Sequence, residues 1–442
     1  MPKMGELGKY LSFVIRSKGP IGFILRIGML IKRFDIFGSK MKDAVLQIEQ
    51  IGKKYKYRPT MIIPALVLKR HHKLLHHLPN ANLECAIHGY THRSFSDLDL
   101  HEQVREIQKA KDVFNELGIP TCGFRAPYLS WNGYTSKAIE KSQLLWGSNQ
   151  TLIWDGFRNA KVPKLRKFKE DAIRELYNPF DAKESVSIPR LEGRVVCIPI
   201  SLPDDEILVD RLGIVDSGRI GELWTEIMEK TYERGEIFVL QLHPERFCIC
   251  QEAMESLLRR AAAYSKPPVW VTSMKEVAEW WKEKSQFQFT LEATPGRGYR
   301  VRCECTDRAT ILCRNFPGEA SKTPFYQDYS IIEDREFFIE SKNVKPCIGV
   351  HPRCSEKLCE FLADEGFCYE ISDKNSKYSL FLNEYEDFAP ENEMDLLSRI
   401  IENNNPIIRY WRWPAGMRSA FLTTHDLDSV TMTDFVLRLL GR

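Results

Sequence analysis

From residue 40 to residue 286 the chain alternates amphipathic helices with short apolar strands, and this alternation narrows the possible folds more than any other feature. The helical run over 42–57 carries Val45, Ile48 and Ile51 on one face and leads into the strand-like TMIIPAL. A helix is predicted through LVLKRHHKLLHHL, then a strand at LECAI. A second amphipathic helix over 102–117 follows, with Val104, Ile107, Val113, Phe114 and Leu117 on its apolar face and Gly118 as its stop. Apolar strands recur at VVCIPI, IFVLQL and VWVTS, separated by helical stretches such as ELWTEIMEKTYERG and EVAEWWKEK. The pattern predicts an α/β fold: a mostly parallel sheet covered by helices, closed or nearly closed.

Near Ser285 the period changes to two. Phe287, Phe289 and Leu291 alternate, PGRG makes a turn, and Tyr299, Val301, Cys303 and Cys305 alternate again, as in a β-hairpin. With helical runs near 356–362 and 394–401 and a strand at KYSLFLNEY, this predicts a second, smaller α+β domain over 286–415. The chain ends in the strand SAFLTT and a helix through TDFVLRLLG. Its 442 residues suffice for two or three domains, and 43% hydrophobic with 28% charged residues excludes a disordered or collagen-like chain. An excess of only three basic charges gives no support to a nucleic-acid partner.

Twelve cysteines without a CxxC pair give little support to a zinc knuckle and are read as reduced thiols of a cytoplasmic protein. The first 34 residues interrupt their apolar character with Arg16, Lys18, Arg26, Lys32 and Arg33, unlike a signal peptide. They are expected to form an amphipathic helix that packs on a core or rests its basic face on an anionic membrane surface.

Four places can carry chemistry. In HGYTH, His88 and His92 stand four apart, so that on a helical turn both rings share a face and one metal ion can bind both. His72 and His76 have the same spacing but sit in KRHHKLLHHL, a solvated helix surface, whereas His88 directly follows the strand LECAI. Arg125 lies in FRAPY, where Pro127 fixes φ and the Tyr128 amide can face a cleft. His243 ends the strand IFVLQL. In THDLD at 424–428, Asp426 and Asp428 are two apart at the end of an apolar strand, and such close carboxylates repel unless a cation or an arginine neutralises one of them.

Taken in order, HGYTH, FRAPY and LQLHP resemble the polysaccharide deacetylases, the NodB-like carbohydrate esterase family 4, over roughly residues 40–285. CIPISLPDD before LVDRL and VWVTSMKEVAEWW after LQLHP are similar context. The resemblance implies a distorted (β/α) barrel of NodB type that hydrolyses an N-acetyl group on a sugar. It implies a divalent metal, zinc first, held by His88, His92 and Asp428. By the same resemblance Asp426 is the general base, Arg125 keeps it ionised, the Tyr128 amide faces the oxyanion and His243 is the general acid. Its implied partner is an N-acetylated carbohydrate, with a nucleotide-linked or lipid-linked sugar precursor as the expected form. Hydrolysis of another amide or cyclic imide, and a silent glycan-binding relative, are the alternatives. Trp131, Trp146 and Trp154 are candidates for a sugar-stacking wall, with core packing as the competing explanation; Asp155 has no clear role.

The chain departs from the family in one respect. The aspartate motif that normally opens the domain stands at the end, while the N-terminal KRFDIFG offers only Asp35. The expectation is a circularly permuted barrel: residues 1–285 completed by the strand and helix of 416–442, with 286–415 inserted. The competing expectation has Asp35 as the acidic residue and the C-terminal strand opening an incomplete second barrel.

Overall fold

A computed structural model describes residues 33–35, 37–154, 173–315, 322–341, 344–374 and 377–439. The basic segment over 1–32 and Asp155 lie outside them.

Seven parallel strands make the main sheet. They are β1 (Thr60–Ile63), β2 (Glu84–Ile87), β3 (Thr121–Phe124), β4 (Trp146–Gly147), β8 (Val195–Cys197), β10 (Ile237–Leu242) and β22 (Ser419–Asp426), in the order β10-β22-β1-β2-β3-β4-β8. The antiparallel β7 (Arg190–Glu192) extends the β8 edge, and β11 (Val269–Val271) pairs with the start of β22. Helices α1 (Ser39–Tyr55), α2 (Ala65–Arg70), α3 (Leu100–Glu116), α4 (Thr135–Lys141), α5 (Ser217–Arg234), α6 (Phe247–Ala263) and α7 (Met274–Lys284) occupy the connections. Among the described residues no pairing joins β7 to β10, so the sheet is an open, curled α/β layer. No helix there is long and apolar enough to cross a membrane.

The last strand lies near the middle. β22 pairs with β10 from Ile237 opposite Ala420 to Leu242 opposite His425, and with β1 from Thr60 opposite Thr424 to Ile62 opposite Asp426. All eight of its residues are buried, as expected of a strand covered on both faces. Phe421 and Leu422 each contribute about 1.5–3 kcal/mol by burial.

Local chemistry explains most element boundaries. Asp99 and Glu102 form a reciprocal capping box on α3, Ser273 and Glu276 one on α7, and Gly235 closes α5 in the left-handed conformation. Two expectations differ. The helix through LVLKRHHKLLHHL stops at Arg70 and continues as turns, leaving His72 and His76 exposed, each hydrogen-bonded to a carbonyl three residues back. VVCIPI is two strands: after β8 the chain passes Pro199, which has no amide donor, and re-forms as β9 (Ile200–Leu202). β9 pairs with β5 (Thr151–Ile153), itself paired to β6 (Phe180–Asp181), in a separate sheet.

The segment after α7 is α+β. β12 (Gln288–Thr294) and β13 (Gly298–Glu304) are the expected hairpin, joined by β17 (Glu336–Glu340). β14 (Ile311–Arg314), β15 (Lys322–Tyr326), β16 (Tyr329–Ile332) and β21 (Ile407–Tyr410) make an antiparallel sheet. β18 (Lys345–Val350), β19 (Tyr369–Ile371) and β20 (Tyr378–Leu382) make a parallel one, with helices α8 (Glu356–Glu365) and α9 (Glu393–Glu402). After β22 comes α10 (Met432–Leu439).

This α+β part docks on the edge where the barrel strands begin. Just ahead of β10, the Gly235 carbonyl accepts from Trp413 Nε1 at 2.8 Å and from Arg412 at 3.1 Å, and Lys284 at the end of α7 reaches the Asp364 carbonyl at 2.6 Å. Buried Glu365 binds both Arg409 at 2.6 Å and Arg412 at 2.7 Å. Burial alone would raise the Glu365 carboxyl, but the charges of Arg412 and Arg409 overcome it and hold it at about 2. That stabilisation is complete above the ordinary value of 4.5 and is lost as pH falls through about 2. Glu365→Gln strands two buried guanidinium charges and is expected to destabilise the protein by about 3–5 kcal/mol, read as a fall in the urea midpoint at neutral pH.

Candidate metal centre and active site

Four parallel strands deliver their following residues to one end of the sheet, where α/β folds collect ligands. His88 follows β2, Arg125 follows β3, His243 follows β10, and Asp426 closes β22. Asp428 stands two residues beyond.

The HGYTH segment is a loop rather than the expected helical turn; Gly89 turns it with φ +76°. The loop still brings the two rings together, with centroids 4.9 Å apart and nearly perpendicular. His88 Nδ1 donates to the Arg125 carbonyl at 2.8 Å, which can only accept, so the lone pair of Nε2 faces the pocket. Nε2 lies 3.4 Å from Asp428 Oδ1 and 3.9 Å from Asp426 Oδ2. His92 Nε2 lies 3.1 Å from the same Asp428 oxygen.

Two of these three atoms have no hydrogen-bond partner. Both ring nitrogens of His92 and Oδ1 of Asp428 are buried without a hydrogen-bond partner. Burial pushes the His92 imidazole down to about 4, against the pull of Asp428, so the ring is neutral near pH 7. Burial would raise the Asp428 carboxyl, yet His92 and Arg438 hold it well below the usual range. One oxygen and two nitrogens of ligand type thus lie within 4.8 Å of one another. Unsatisfied buried polar atoms such as those of His92 and Asp428 are costly, and a cation held among the three groups satisfies them. Two imidazoles and a carboxylate suit zinc and equally the iron facial triad.

Asp426 is tied on the other side. Arg125, fully buried, donates from Nη1 to Asp426 Oδ1 at 2.7 Å and to Thr424 Oγ1 at 2.8 Å, while Ser148 takes Nε and Nη2. Gln241 Nε2 donates to Asp426 Oδ2 at 3.2 Å. Gln241 and His243 are two apart on extended backbone and project to the same face.

His243 has a partner that sequence reasoning missed. Asp205 Oδ1 accepts from its Nδ1 and Asp205 Oδ2 from its backbone amide, both at 2.6 Å. Burial would lower the imidazole, but the Asp205 charge prevails and raises it well above its ordinary value. Next to it, burial and the Asp205 charge push the Asp204 carboxyl up to about 7. The signal was present in SLPDD, two acids closing a short apolar strand. Arg438 and Gln241 were also missed, and nothing in their sequence neighbourhood marks them.

Tyr128 has φ +61° and Leu129 φ +53°, two consecutive left-handed residues, and the Tyr128 ring stands edge-on to His92 at 4.4 Å. Such strained backbone clusters at functional sites. Of the candidate sugar-stacking tryptophans, Trp131 is exposed, but Trp146 and Trp154 are buried; Trp146 donates to Glu84 Oε1 at 2.9 Å from inside the sheet. Asp35 does not join the site. Its carboxylate caps α1, accepting from Ser39 Oγ at 2.6 Å and the Lys40 amide at 2.8 Å.

Residues 34–145 match the family model for polysaccharide deacetylase. Comparison with curated proteins found no match. Solved structures similar to this chain include a putative polysaccharide deacetylase from Mycobacterium smegmatis, at 18% identity over 60% of this chain and 84% of that one, with TM-score 0.42. Another is a probable polysaccharide deacetylase from Pseudomonas aeruginosa PAO1, at 15% identity over 57% and 76%, TM-score 0.42. A third is PuuE allantoinase, at 16% identity over 54% and 72%, TM-score 0.40. The matched stretch holds His88, His92, Arg125 and Tyr128, so that over these residues the chain is similar to the polysaccharide deacetylase family.

Proposed function

We propose that this protein is a metal-dependent hydrolase that removes the acetyl group from an N-acetylated sugar or glycan precursor. One observation carries the reading: ring nitrogens of His88 and His92 and an oxygen of Asp428 lie within 4.8 Å of one another, those of His92 and Asp428 without a hydrogen-bond partner, beside a carboxylate, Asp426, that a buried arginine holds. Residues 1–285 with 416–442 are read as one circularly permuted barrel and 286–415 as an insertion; the seat of β22 between β10 and β1 supports this. Twelve free cysteines support a cytoplasmic setting.

His88, His92 and Asp428 would hold the ion. When bound, a divalent cation supplies Lewis acidity, polarising the amide carbonyl and acidifying water. Asp426 takes the proton of the attacking water at Oδ2, because Arg125 occupies Oδ1. Gln241 steadies that oxygen. The Tyr128 amide donates to the oxygen on which charge develops. His243, kept protonated by Asp205, gives its Nε2 proton to the departing amine.

Acetate release from a panel of N-acetylated sugars, with allantoin as a cyclic control, and elemental analysis of the purified protein test the reading; no acetate from any sugar would sink it. Asp426→Asn is expected to lower turnover about 10²–10⁴-fold while metal content stays near wild type. Asp428→Asn is expected to lose the metal; equal metal loss in the two variants contradicts their separate roles. Asp205→Asn removes the charge that raises His243, and burial then draws the imidazole down. Since His243 acts protonated, the alkaline limb of kcat/KM is expected to move to lower pH by about one unit or more. An unmoved limb refutes the Asp205–His243 pairing in catalysis.

A further inference from the structure

We infer that Arg438, on the last helix, is a positioning residue that fixes which oxygen Asp428 turns toward the two imidazoles. The inference rests on the proposed metal-dependent reading. Arg438 Nη1 donates to Asp428 Oδ2 at 2.6 Å, and both side chains are largely buried, 16% and 12% exposed. The other carboxylate oxygen, Oδ1, is the one 3.4 Å from His88 and 3.1 Å from His92. Rotation about the Cβ–carboxylate bond is soft, so an unanchored aspartate can present either oxygen or swing away. A guanidinium on Oδ2 removes that freedom, and outer hydrogen bonds of this kind orient ligating carboxylates.

The helix that carries Arg438 is itself pinned. One turn earlier, on the same face of α10, Asp434 Oδ2 accepts from the Thr431 amide and hydroxyl, each at 3.0 Å, and lies 2.6 Å from His71 Nε2. Phe435 packs on Phe34 with centroids 5.7 Å apart, and the Arg438 guanidinium lies 5.1 Å from the Phe435 ring centre. Arg438 thus reaches Asp428 from a fixed base.

Charge and orientation predict opposite outcomes, which makes the inference testable. A cation beside a cation-binding site weakens binding by repulsion, so removing Arg438 as a mere charge would tighten binding. Removing it as an anchor loosens binding. Zn²⁺ affinity of the full chain, stripped by chelator and measured against a competing dye, is expected to fall about 10- to 100-fold in Arg438→Met, with Arg438→Lys recovering part of the loss. Unfolding temperatures measured in chelator are expected to match wild type, separating anchoring from a folding defect. If Arg438→Met does not fold, Arg438→Lys is expected to bind several-fold more weakly than wild type at unchanged apo stability. Affinity equal to or tighter than wild type in Met and Lys variants overturns the inference, as does a loss that merely follows a drop in apo stability. If the wild-type chain binds no Zn²⁺, the metal-dependent reading falls and this inference with it; if it binds and the variants match it, only the inference falls.

Discussion

The parallel pairing of β22 with both β10 and β1 is the contact on which the rest depends. A strand from the last two dozen residues sits inside the sheet, so neither neighbour completes its hydrogen-bond ladder, nor the core its packing, until the C-terminus is in place. The same pairing carries Asp426 to Arg125, 301 positions away in sequence, and brings Asp428 against His88 and His92. Folding therefore closes a very long loop before its most central contacts form, which makes the assembly non-local and slow to nucleate there.

The two ends of the sheet divide the work. At the carboxyl ends lie the acceptor-rich pocket and the Asp205–His243 pair, groups set against one another so that their proton affinities differ. At the opposite end the α+β part is fastened by Glu365, Arg409 and Arg412 and by indole donors to backbone carbonyls. Buried charge occurs at both ends. At the docking end opposite charges meet at hydrogen-bond distance; at the pocket such pairs, Arg125 with Asp426 and Arg438 with Asp428, flank the His92 ring and an Asp428 oxygen that have no partner. A satisfied network fixes structure, whereas an unsatisfied one marks where something else binds.

Much of this was legible in the residues. Periodicity marked α3, α5, α7, β10 and the β12–β13 hairpin, because an amphipathic stripe or a period of two follows from which face is buried. It failed at VVCIPI and at LVLKRHHKLLHHL. In the first, a proline breaks a run whose hydrophobicity is continuous; in the second, helix propensity continues past Arg70, where the backbone leaves the helix at His71. His88 and His92 were legible as a pair from spacing and strand-end context, but through a helical turn that is in fact a glycine loop. Asp205 was visible only as part of a motif, since its role requires His243 beside it.

The sequence by itself determined the alternation of strand and helix, the residues that end each strand, and thus a set of imidazoles, carboxylates and an arginine with family-like order. These are local properties, set by side-chain periodicity and backbone chemistry. Only the tertiary structure decided that the C-terminal acids meet the early histidines, that Asp35 is a helix cap, and that Arg438 holds the far oxygen of Asp428. Such meetings depend on strand order and on packing between segments hundreds of residues apart, and no local pattern encodes which strand will pair with which.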